Sequence, residues 1–174
     1  RTNVDAAYRR ANIRGLGSDD SLEVICDRLA SLPLEFSPGT RWNYSFATDV
    51  CGRLVEVLSG MRFSDFLRER ILGPLGMRDT DFHVPAEKAS RLAACYERGP
   101  DKRLRLQDDP GESRYLRPPA FESGGGGLVG TVHDYLRFCR MLLNGGELDG
   151  VRILGRKTVE LMTANQLPGG QDLT

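Results

Sequence analysis

Apolar residues recur at helical spacing in five stretches of this chain and alternate in strand fashion in none. Leu22, Ile25, Cys26 and Leu29 predict a helix over roughly 19–31, with capping oxygens in Ser18-Asp19-Asp20-Ser21 and a stop at Pro33. Phe46, Val50, Leu54, Val57 and Leu58 form one stripe running from Ser45, the expected N-cap, to Gly60, placed as a C′ residue. A shorter helix over about 63–71 carries Phe63, Phe66, Leu67 and Ile71, and Gly73-Pro74-Leu75-Gly76-Met77 breaks it.

Thr131 and Asp134 read as a capping box. The helix they open carries Tyr135, Leu136, Phe138, Cys139, Leu142 and Leu143 and stops at Gly145-Gly146, and a last helix is expected near 156–163. Between about 84 and 122 the periodicity fades among Gly99-Pro100, Asp109-Pro110-Gly111 and Pro118-Pro119. Such a segment inside a domain is a site wall, a lid or mobile, with room for a short strand around 93–96. The pattern is mainly α, and no internal repeat interrupts it.

Composition places the chain among ordinary globular proteins: 40% hydrophobic and 28% charged over 174 residues, enough for one core. The 24 basic and 24 acidic residues cancel, so neither nucleic acid nor an anionic membrane surface is an expected partner. No stretch approaches the roughly 20 apolar residues of a membrane span, and Arg1–Gly15 lacks the charged-then-apolar order of a signal peptide. Cys26, Cys51, Cys95 and Cys139 form no C-x-x-C pair and have two histidines for company, so no metal site and no cofactor are expected. Three of the cysteines fall on helical apolar stripes and are expected to be buried thiols, which favours a reducing, cytoplasmic compartment.

The chemistry concentrates in Phe36-Ser37-Pro38-Gly39-Thr40-Arg41-Trp42-Asn43-Tyr44-Ser45. Pro38-Gly39 makes a turn, and Tyr44 stands at the mouth of a helix. This run resembles the segment that presents the catalytic tyrosine in β-lactamase-like serine hydrolases, a family of class C β-lactamases, D-alanyl-D-alanine peptidases and family VIII esterases. Further blocks follow in the same order: Gly60, Pro74 to Thr80, Ser123 to Thr131 with His133-Asp134, Asn144-Gly145-Gly146, and Leu154 with Thr158-Val159. The resemblance covers about residues 30–168 and implies an α+β, β-lactamase/transpeptidase-like fold, with residues 1–174 as a partial domain comprising its mainly α-helical part.

In that family a serine and a lysine one helical turn apart, S-x-x-K, form the nucleophile pair, and a Y-x-N tyrosine completes the proton relay. Tyr44 is the catalytic residue the resemblance carries over. No serine here has Lys three positions on: Ser45 leads to Thr48, Ser64 to Leu67 and Ser90 to Ala93. Lys157-Thr158-Val159 falls in a predicted helix and is not the family's K-T-G strand. The S-x-x-K segment is therefore expected upstream of Arg1, the active-site strand downstream of Thr174, and the isolated segment inactive.

The third position of Y-x-N is Phe46, which cannot hydrogen-bond a substrate amide. Gly124 to Gly127 occupy a region where some β-lactamases narrow the acyl side of the pocket with a tyrosine. Phe46, Gly125 and Gly126 are thus the expected substrate-binding residues, and a small-molecule ester is favoured over an amide. The parent is expected to be a carboxylesterase working through an acyl-serine. A β-lactamase or D-alanyl-D-alanine carboxypeptidase is the alternative, and a non-catalytic binding module on the same scaffold is the second. Trp42 and Phe46 suit a core as well as a pocket. His133 suits a solvated helix start, and the glycine run lacks the Lys-Ser/Thr of a phosphate loop.

Overall fold

The computed structural model describes residues 3–171, which build six α-helices and two short hairpins around two separate apolar clusters. Helix α1 (Asn3–Arg10) lies within the stretch that carried no helical expectation, while α2 (Leu22–Ala30) starts where its caps predict. Ser21 is its N-cap and accepts the Val24 N–H at 3.3 Å. Asp20 clamps Arg28 in the last turn with two hydrogen bonds, of 2.6 and 3.0 Å.

Helix α3 (Ala47–Ser59) starts one residue later than its cap predicted. Phe46 holds the N-cap position without a side-chain bond, and Ser45 Oγ accepts the Ala47 N–H at 3.2 Å from one position further out. Gly60 ends the helix in the left-handed region (φ 70°), and its N–H returns to Glu56 O. The expected stripe does not become the core face: Leu54 is 53% and Leu58 85% exposed. The buried residues of α3 are instead Asp49 and Gly52. A Cβ on Gly52 would lie 3.3 Å from Leu22 and 3.5 Å from the Gly124 backbone, so the missing side chain is what lets three segments approach on that face.

The helix expected over 63–71 divides into α4 (Phe63–Leu67) and a π-turn over Arg68–Leu72. The wide turn closes with Gly73 N–H on Arg68 O at 2.8 Å, where a Cβ on Gly73 would itself fall 2.8 Å from that oxygen. The irregular stretch is more ordered than its composition suggested. It contains a 3₁₀ turn at Ala86–Arg91, an antiparallel hairpin of β1 (Cys95–Arg98) and β2 (Leu104–Asp108), and a second 3₁₀ turn at Arg114–Leu116.

Helix α5 (Val132–Leu143) opens with Thr131 Oγ1 accepting the Asp134 N–H at 3.2 Å. It stops at Gly145-Gly146, whose N–H groups return to Leu142 O and Met141 O. The small hairpin of β3 (Glu147–Leu148) and β4 (Val151–Arg152) leads to α6 (Arg156–Thr163), as expected for that region. One cluster joins Leu72, Leu75, Met77, Met141 and Leu148; the other joins Leu22, Ile25 and Phe121. The single core expected from chain length is therefore split into two clusters, each joining residues from both halves of the sequence.

The thiol expectation is also corrected: Cys51, Cys95 and Cys139 are exposed, and Cys26 is half-buried. Cys51 lies exposed on α3 and Cys139 on α5, and Cys95 lies on an exposed strand. Burial, and then the nearby Asp49 charge, push the Cys26 thiol upward from its ordinary pKa. No helix among the described residues is long and apolar enough to cross a membrane.

Candidate active site

Residues 33–46 form an exposed loop whose shape is set by local bonds. Pro38-Gly39 turns the chain, with Gly39 at φ 79° and both the N–H and the Oγ1 of Thr40 donating to Ser37 O. Asn43 Nδ2 donates to Glu35 Oε2 at 3.0 Å and ties the two sides of the loop together. Tyr44 then projects into solvent, 88% exposed, three residues ahead of α3. Trp42 is also exposed, at 56%.

Phe46 anchors this end of the loop. Its ring meets Tyr8 edge-on, with centroids 6.1 Å apart, and it packs against the Leu22, Ile25 and Phe121 cluster. It is half-buried, so one aromatic side chain covers the core beside the exposed Tyr44.

The glycine run comes to the first turn of α3. A Cβ on Gly124 would stand 2.0 Å from Thr48 O, and one on Gly125 2.7 Å from Thr48 Oγ1. Gly126 is freer, its Cβ position meeting Leu16 at 3.7 Å, and Gly127 adopts φ 86°. The first of these glycines therefore serves a close backbone approach, and the open space inferred from the run is confined to Gly126. The turn that follows Tyr44 and the Gly124–Gly126 turn are neighbours, although some 80 residues of sequence part them.

Three polar side chains that the sequence did not single out brace this junction. Ser123 Oγ donates to Asp49 Oδ1 at 2.5 Å and accepts the Gly125 N–H at 3.0 Å. Glu122, 5% exposed, accepts the Ser64 N–H at 2.7 Å and the Ser64 hydroxyl at 2.9 Å, and pairs with Arg62. The only signal available was a Glu-Ser pair directly ahead of the glycines, because apart from Gly125 these partners lie 58 to 74 residues away in sequence.

A cleft of about 590 Å³ lies elsewhere, between the turn around Met77–Asp81, the Val84–Ala93 segment and Val129–Thr131. Its charged groups are largely spent on one another: Asp79 is held by Arg91 and Lys88, and Arg68 by Asp65 and Asp81. The Arg91 guanidinium first, and Lys88 after it, drive the Asp79 carboxyl far below the usual carboxylate range. His83 lines this cleft while His133 lies exposed on α5. Among the described residues no three His, Cys, Asp or Glu side chains converge as metal ligands.

A family model described as Beta-lactamase matches residues 3–173. Protein Rv1367c of Mycobacterium tuberculosis is 41% identical over 168 residues, 97% of this chain and 40% of that protein. Esterase EstB of Burkholderia gladioli is 36% identical over 140 residues, 72% of this chain and 34% of its own length. The solved structure of EstCE1, described as a hydrolase with promiscuous acyltransferase activity, superposes with a TM-score of 0.78 at 28% identity, covering 92% of this chain and 45% of that one. The chain spans less than half the length of each of these relatives.

Proposed function

This chain belongs to the beta-lactamase family, and from that premise we propose that it is the helical wall of a serine hydrolase site whose substrate is a carboxylic ester. The observation that carries the reading is the pairing of an exposed Tyr44 with the glycine run on the turn that follows it. The fold is the α+β, β-lactamase/transpeptidase-like one, of which these residues supply the mainly helical part.

Tyr44 takes the general-base role. The nucleophilic serine and its lysine come from outside these residues, since no serine here is followed by Lys three positions on. The incoming lysine's positive charge beside the phenol oxygen is what equips Tyr44 to take a proton. The serine oxygen attacks the ester carbonyl as its proton passes to the Tyr44 oxygen. The departing alkoxide takes that proton and leaves as the alcohol, and water then cleaves the acyl-serine by the same route.

Phe46 favours an ester because it offers no hydrogen bond to an amide. Its half-buried ring borders the substrate only along its free edge, and Gly125 and Gly126 face the acyl group. The name Beta-lactamase on the matching family favours a second reading, acyl transfer from a β-lactam or peptide amide. Turnover of p-nitrophenyl butyrate and of nitrocefin by the full-length protein separates the two readings. Replacing Tyr44→Phe should lower ester turnover by about two orders of magnitude or more. Unchanged turnover would remove Tyr44 from the mechanism, and no turnover of either substrate would leave a binding module.

A further inference from the structure

Asp49 is a buried carboxylate, 7% exposed, in the first turn of α3, and it forms no ion pair with any described residue. Burying a charge without a cation is costly and calls for compensation. Two sources supply it: the positive end of the α3 dipole and the Ser123 hydroxyl at 2.5 Å. An ionised carboxylate only accepts, so the Ser123 proton is committed to Asp49. That leaves the lone pairs of Ser123 Oγ free to accept the Gly125 N–H, at 3.0 Å. Hydrogen-bond polarity thus runs one way, from the glycine run through Ser123 into the helix that follows Tyr44.

We propose that Asp49 and Ser123 are positioning residues that fix the spacing between the Tyr44 end of α3 and the Gly125–Gly126 wall, and so select the acyl group that fits there. This rests on the reading of Tyr44 as the base and of the glycines as the acyl side. The Gly124–Thr48 contact sets how closely the two backbones approach, and the Ser123 bond to the Gly125 N–H adds a polar tie one residue further along. Alanine at position 49 removes the acceptor of the Ser123 proton, and alanine at position 123 removes the acceptor of the Gly125 N–H, so either change releases the wall.

The test uses the full-length protein carrying Asp49→Ala, Ser123→Ala or both, with p-nitrophenyl acetate, butyrate and octanoate as substrates and Tyr44→Phe alongside. The expected result is a change of about tenfold or more in the octanoate-to-acetate ratio of kcat/KM in each single variant, with the double variant no further displaced. An equal fall for all three esters, with the ratio unmoved, would overturn the proposal and leave the pair a purely structural brace. If the ratio moves while Tyr44→Phe retains full turnover, the spacing role stands and the base assignment fails. Absence of any ester turnover in the unsubstituted protein overturns both.

Discussion

The Asp134 carboxylate, 3% exposed at the start of α5, accepts the Asp79 N–H at 2.8 Å and the Thr80 hydroxyl at 2.9 Å, 55 and 54 residues away. The capping-box pattern of Thr131 and Asp134 is therefore half used: Thr131 caps the helix, and Asp134 spends its side chain on tertiary structure. Asp134→Ala leaves two donors unpaired and should cost about 2–4 kcal/mol in urea unfolding. Asp134→Asn, which keeps one acceptor oxygen, should cost less.

Gly124→Ala should destabilise by about 3 kcal/mol or more, since its Cβ would sit 2.0 Å from the Thr48 carbonyl and neither backbone can yield cheaply. Gly126→Ala meets nothing closer than Leu16 at 3.7 Å and should change stability by about 0.5 kcal/mol or less. Thermal unfolding of the two variants side by side checks the contrast.

The depressed Asp79 carboxyl makes part of the stability pH-dependent. A group whose pKa falls on folding stabilises above its unfolded value and loses that contribution as acid protonates the folded state. Arg91 and Lys88 hold Asp79 far below the ordinary range, so its contribution is complete at neutral pH and fades as the pH falls below about 4. Asp79→Asn should lower Tm at pH 7, and the gap from the unsubstituted chain should narrow in strongly acidic buffer. A gap that stays constant down to the lowest pH would contradict this.

Tyr44→Phe should leave unfolding almost unchanged, within about 0.5 kcal/mol, because the side chain is 88% exposed. Phe46→Ala, by contrast, strips an edge contact with Tyr8 and part of the cover over the Leu22 and Ile25 cluster, and should cost about 2 kcal/mol. Denaturant midpoints of the two variants test whether the exposed and the anchoring aromatic have separate tasks.

Elements written in local chemistry were legible from sequence: Ser21 as a cap, the left-handed Gly60, the Gly145-Gly146 stop and α6. What escaped depends on distant partners. Periodicity finds a stripe on α3 but does not say which face meets a neighbour, and Gly52 settles that by allowing α2 and Gly124 to approach. The same limit hid the exposure of Cys51 and Cys139. In the candidate site Tyr44 was visible through its motif, whereas Asp49, Ser123 and Glu122 gain meaning only when segments some 60 to 70 residues apart meet.

The four glycines differ in what a library of variants could do with them. Position 124 is closed by a carbonyl, 127 by its dihedral angle, and 125 opens only if the Thr48 side chain rotates away. Diversity introduced at 126 alone should survive folding, so an experimenter randomising all four codons would recover variants that had explored almost entirely one of them.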